Sequence, residues 1–163
     1  YLSITEYRVD GTHSIASCRA GLDLFGAASE LSQGPLRPNL SLPQMLAIDG
    51  STAMVGRDDV ELAPTITWKP PAIGEASVYL LRIVQLVKEP EREYHDILAG
   101  SFLTSQTEAR IPAGVLQPGG QYYLELIAVA GLGSDALTTP RAAVARRWSQ
   151  SSAHVCSAAF HTR

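Results

Sequence analysis

Two long β-rich runs constrain this chain more than any other feature. Residues 78–87 read VYLLRIVQLV and follow the turn-like Ile73-Gly74-Glu75. Residues 122–130 read YYLELIAVA, opened by Pro118-Gly119-Gly120 and closed by Gly131. Both are rich in branched and aromatic side chains and both are bounded by chain breakers, which is how strands are written. Side chains alternate along a strand, so Tyr122, Leu124, Leu126 and Ala128 share one face, and Tyr123, Glu125, Ile127 and Val129 the other. Residues 65–69 alternate as well and stop at Pro70-Pro71, and 153–162 read as a last strand. With 13 Gly and 10 Pro spread along 163 residues, the expectation is an all-β sandwich or barrel of short strands.

Composition closes off other classes. An apolar content of 45% against 18% charged residues is too apolar for a disordered tail. No run approaches the roughly 18 consecutive apolar residues of a membrane-crossing helix, so no transmembrane segment is expected. A net charge of −3 offers no basic footprint for nucleic acid. The chain opens on Tyr1 rather than Met, as expected of a fragment or a processed form. Ile15-Ala16-Ser17-Cys18 formally matches a lipoprotein cleavage site. However, Glu6, Arg8, Asp10 and His13 precede it where a continuous apolar stretch is required, so the match is read as accidental.

In the amino-terminal part, 1–9 look like a strand, Asp10-Gly11 a turn and 15–25 a broken strand, with Gly34-Pro35 and Pro38 marking a linker. A short helix is expected over 140–148: Thr139 is an N-cap residue ahead of Pro140, and Arg146 and Arg147 lie in the last turn, where cations suit the dipole. Residues 89–93, EPERE, read as an exposed loop tip.

The segment Leu116-Gln117-Pro118-Gly119-Gly120-Gln121-Tyr122 resembles the L-x-P-G-x-x-Y corner of fibronectin type III domains. Ile66-Thr67-Trp68-Lys69-Pro70-Pro71 is similar to that family's second strand with its core Trp. Tyr79-Leu80-Leu81-Arg82-Ile83 is similar to the third, Ala109-Arg110-Ile111 to the fifth and 122–128 to the sixth, with Pro38-Asn39-Leu40-Ser41-Leu42 in the place of the first. The resemblance covers roughly residues 38–162 and is most specific over 64–130. It implies a fibronectin type III-like (immunoglobulin-like) β-sandwich over 38–163, with 1–37 a β-rich extension or the end of a preceding domain. Trp68, Tyr79, Leu116 and Tyr122 would be its structural core, and the Tyr122 hydroxyl would bond backbone a few residues upstream. The bacterial members it looks most like belong to exported and envelope proteins, which implies an extracellular or cell-envelope location. Two departures stand out: long links at 43–63 and 131–152.

If Tyr79, Leu81 and Ile83 point inward, Leu80, Val84 and Leu86 point outward beside Tyr123, Ile127 and Val129. A solvated sheet face is polar, so these six apolar residues call for a cover or a partner. The cover would be segment 1–37 or the 140–148 helix; the partner would be another protein or a neighbouring domain. Cys18 and Cys156 are either two buried thiols or one disulfide tying the extension to the last strand, the latter favoured by a secreted setting.

Chemistry is sparse. His154 and Cys156 share a strand face, but zinc needs three or four ligands, so no metal is expected. Asp58, Asp59 and Glu61 are read as a solvated acidic turn rather than a calcium site. There is no G-x-S-x-G elbow. Asn39-Leu40-Ser41 is a glycosylation sequon that matters only in a eukaryotic secretory setting. The expected function is therefore a non-enzymatic interaction or spacer module without cofactor, presenting an apolar sheet face. The alternative is glycan binding by the loops 43–63 and 131–152, with Trp148, Arg146 and Arg147 as contacts. Oligomeric state is not written in the sequence.

Overall fold

The computed structural model describes residues 4–8, 15–19, 21–24, 39–88, 94–130 and 151–163. The helix expected over 140–148, the 89–93 loop tip and the linker near Gly34-Pro35 lie outside the described residues. Within them, every regular element is a strand. The amino-terminal part forms β1 (Ile4–Arg8), β2 (Ile15–Arg19) and β3 (Gly21–Leu24), with β1 and β2 paired as an antiparallel ladder.

The remaining strands make two sheets. One contains β4 (Gln44–Ile48), β5 (Ser51–Thr52), β7 (Thr65–Lys69) and β10 (Glu108–Arg110) in the order β10-β7-β4-β5. The other is built on the antiparallel pair of β8 (Val78–Lys88) and β11 (Gln121–Ala130), in register Ile83 with Leu124, Leu81 with Leu126 and Leu80 with Ile127. On the far side of β8 lies β9 (Tyr94–Thr104). On the far side of β11 lies β12 (Ser151–Cys156), and β3 pairs antiparallel with β12. The last strand, β13 (Phe160–Thr162), pairs with the start of β11 and, in parallel, with β6 (Arg57–Val60).

One core joins the two sheets. Leu46, Ile48, Ile66 and Trp68 from the first sheet meet Leu81, Ile83, Tyr122, Leu124, Leu126 and Phe160 from the second, all buried. Each fully buried aliphatic side chain of this kind is worth about 1.5–3 kcal/mol against exposure. Trp68 is 5% exposed and meets Tyr79 edge to face, with ring centroids 5.3 Å apart. Its indole N–H has no hydrogen-bond partner among the described residues, a desolvation cost of about 1–3 kcal/mol that the packing of the ring must exceed.

The corner at 116–122 follows the expected pattern. Leu116 is buried, and the Gln117 N–H donates to the Tyr122 hydroxyl at 2.9 Å. Gly119 turns the chain at φ 66°. A Cβ on Gly120 would lie 2.5 Å from the Tyr122 ring, so only glycine lets the phenol reach its donor. Thr162 binds the corner from the carboxyl-terminal side: its hydroxyl donates to the Gln117 carbonyl at 2.6 Å, and the Gly120 N–H donates to that hydroxyl at 2.9 Å.

Three expectations are corrected. The first strand of the sandwich forms at Gln44–Ile48, not over 38–42. Residues just before it are held instead by the turn at 73, where the Ser41 N–H donates to the Ile73 carbonyl and the Ile73 N–H to the Ser41 hydroxyl. The 43–63 link is not a free loop but carries β4, β5 and β6. Asp49 and Gly50, both at positive φ, close the β4–β5 hairpin, as a two-residue turn between twisted strands requires. The last strand is broken in two. At the break, the Ser157 N–H donates to the Leu124 carbonyl and the Leu124 N–H donates to the Ser157 hydroxyl, both at 2.9 Å. The side chain thus stands in for a carbonyl of the ladder and pairs the Leu124 amide.

Candidate functional site

The outer face of the larger sheet carries all six residues singled out for interaction. Cross-strand pairing brings them into rows. Leu103 of β9, Leu80 of β8 and Ile127 of β11 form one row, and Leu98, Val84 and Tyr123 another. Val129 pairs with Val78 at one end, and Leu86 packs with Tyr123 and Ala159 near the other. Between the apolar rows runs a polar one. Glu125 accepts from Arg82 at 3.1 Å and faces the His154 ring nitrogen at 3.5 Å. The Tyr123 hydroxyl donates to the Asp96 carboxylate at 3.0 Å. Burial first, then Asp96 and Glu125, push the Tyr123 phenol above its ordinary value, with Arg82 opposing.

Much of this face is not bare. Val84 and Leu86 are buried although they point away from the core, and Leu80, Tyr123, Ile127 and Val129 are half-buried. Strand β2 lies against both β9 and β12. Those strands flank the β8–β11 pair, about 14 Å apart at the usual strand spacing. The inner face is already filled by the smaller sheet, so β2 crosses the outer one. Five extended residues span about 16 Å, enough for that crossing.

What stays exposed on this face is the β9 margin, Leu98 at 59% and Leu103 at 37%; Ile97, at 44%, pairs with Gln85 and points to the opposite side of β9. The outer edge of β9 pairs with no other described strand. These residues carry no sequence signal of their own, because β9 lacks a continuous period-2 pattern. Its alternation is interrupted at Ala99, where the β8–β9 register shifts between Ile83 and Val84.

The other candidates separate. Cys156 is disulfide-bonded, which removes it as a thiolate ligand beside His154. Among the described residues no group of three or more metal-ligating side chains gathers. The acidic turn is answered by the carboxyl-terminal strand: Asp58 meets His161 at 3.0 Å and Glu61 meets Arg163 at 2.6 Å. Cys18 lies on β2. Trp148, Arg146 and Arg147, proposed for glycan contact, lie outside the described residues. No described helix is long and apolar enough to cross a membrane.

No family model matches the sequence, and no curated protein matches it. Among solved structures the chain is similar to one of the twitchin kinase region from C. elegans (Fn31-NL-kin-CRD-Ig26), at 19% identity and a TM-score of 0.38. The likeness covers 56% of this chain and 14% of that one.

Proposed function

We propose that this chain is a fibronectin type III-like interaction or spacer module, without catalysis, of an exported or cell-envelope bacterial protein. The reading rests on four features that agree. They are the two-sheet core around Trp68, the Tyr122 corner, a disulfide at Cys156, and the exposed apolar margin at Leu98 and Leu103. Disulfides persist in oxidising compartments, which supports the location.

The exposed margin carries the interaction reading. Leu98 and Leu103 continue the apolar rows of a covered face out to an edge strand, where large apolar side chains serve contact rather than solubility. The docking residues are therefore Leu98 and Leu103, with Leu80, Val84, Leu86, Tyr123, Ile127 and Val129 beside them on the same face.

A photocrosslinker at position 98 or 103 should capture a discrete partner that the same group at Ser51 does not. Leu98→Asp combined with Leu103→Asp should remove capture while the melting temperature moves by no more than about 2 °C, as for exposed positions. Equal capture from positions 51 and 98 would overturn the assignment.

A further inference from the structure

The outer face of the larger sheet holds residues that are buried without facing the core. Cys156 pairs with Glu125 on β11, which places it on that face, yet it is 5% exposed; Val78 and Val84, on the same face, are 2% and 6% exposed. Strand β2 crosses this face, in contact with β9 on one side and β12 on the other. Cys156 is disulfide-bonded, and the chain contains one other cysteine, Cys18, on β2. Only Ala20 separates β2 from β3, and β3 is a ladder partner of β12.

We infer that a Cys18–Cys156 disulfide fastens the β1–β2 hairpin as a strap over the apolar outer face, and that a dithiol reductant releases it. Besides its chain continuity with β3, which stays bound at the edge through its own ladder, the hairpin has one cross-link to the sheet. Breaking the tie frees the hairpin while the sandwich core, whose residues lie on the opposite side of β8 and β11, keeps its contacts. In the exchange a thiolate of the dithiol attacks one sulfur of the bridge. The S–S bond breaks, two electrons and two protons pass to Cys18 and Cys156 as thiols, and the dithiol closes to its cyclic disulfide. The face uncovered carries Leu80, Val84, Ile127 and Val129.

The test compares oxidised protein, protein in excess dithiothreitol, and Cys18→Ser and Cys156→Ser. Non-reducing peptide mapping of the oxidised protein should return one linked pair of peptides containing positions 18 and 156. Reduction or either substitution should raise the fluorescence of an apolar-surface dye several-fold. It should also lower hydrogen-exchange protection over residues 4–19 by about tenfold or more, leaving β8 and β11 protected. Cys18→Ser should then show no further response to dithiothreitol. Three results would overturn the strap. One is an unlinked peptide map. Another is unchanged dye binding and protection in the reduced and Cys18→Ser proteins. The third is loss of protection spreading into β8 and β11, which would make the bridge a staple of the whole fold.

Discussion

Strand β11 presents two faces whose side chains solve different problems. On the inner face Tyr122, Leu124, Leu126 and Ala128 are all 0% exposed and lie between two sheets. On the outer face Tyr123, Glu125, Ile127 and Val129 are half-buried, and two of the four make polar contacts with other strands of the sheet. The inner face is close-packed, so any change of volume there is felt in full. The outer face is met by β2, through its contacts with β9 and β12, rather than by a second sheet, so its packing is thinner. The same strand thus anchors the fold and supports a surface.

That contrast can be broken or sharpened by substitution. The largest effect is expected from Trp68→Ala, which should cost about 3–5 kcal/mol in urea unfolding, because the indole fills the space between the sheets. Ile127→Ala on the outer face should cost clearly less; equal costs would erase the distinction between the faces. Next comes the corner. Gly120→Ala forces a Cβ against the Tyr122 ring and should cost about 1–3 kcal/mol through overpacking. Tyr122→Phe removes only the bond from the Gln117 N–H and should cost about 1–2 kcal/mol.

A smaller effect is carried by pH. Burial raises the phenol of Tyr79, and burial with Asp96 raises that of Tyr123, above the ordinary value of 10.0. The folded chain therefore holds these protons more tightly than the unfolded one. The stability this supplies is complete below pH 10 and is lost as pH rises beyond it, where the unfolded state releases protons first. Urea midpoints measured from pH 8 upward should fall on the alkaline side, and Tyr123→Phe should flatten that fall. The smallest effect is expected for Glu125→Gln. The Arg82–Glu125 pair is partly exposed, so its loss should cost less than about 1 kcal/mol and should diminish further in salt.

Legibility in the sequence followed the length and regularity of each element. The runs at 78–87 and 122–130 are long enough for period-2 alternation to assign faces, and the pairing of Leu81 with Leu126 and Leu80 with Ile127 agrees with that assignment. Trp68 and the 116–122 corner are local patterns, readable because their chemistry is complete within a few residues. Short strands escaped. β5 has two residues and β6 four, too few for any period, although Asp49-Gly50 was a hairpin signal that stood in plain view. β9 escaped because the register shift beside Ala99 moves later side chains to the opposite face, scrambling the pattern a window would detect.

The sequence by itself determined the material of this protein: two amphipathic ribbons, an indole to lie between sheets, and a glycine-flanked phenol to pin a bend. These are local choices, set by alternation and turn chemistry. Tertiary structure alone decided which apolar face is covered and which margin stays open. It also decided that the amino-terminal segment joins the sheet through β3 and that Ser157 completes a broken ladder. Those outcomes depend on contacts between residues far apart in the chain, and no periodicity along a single strand records where a distant one will lie.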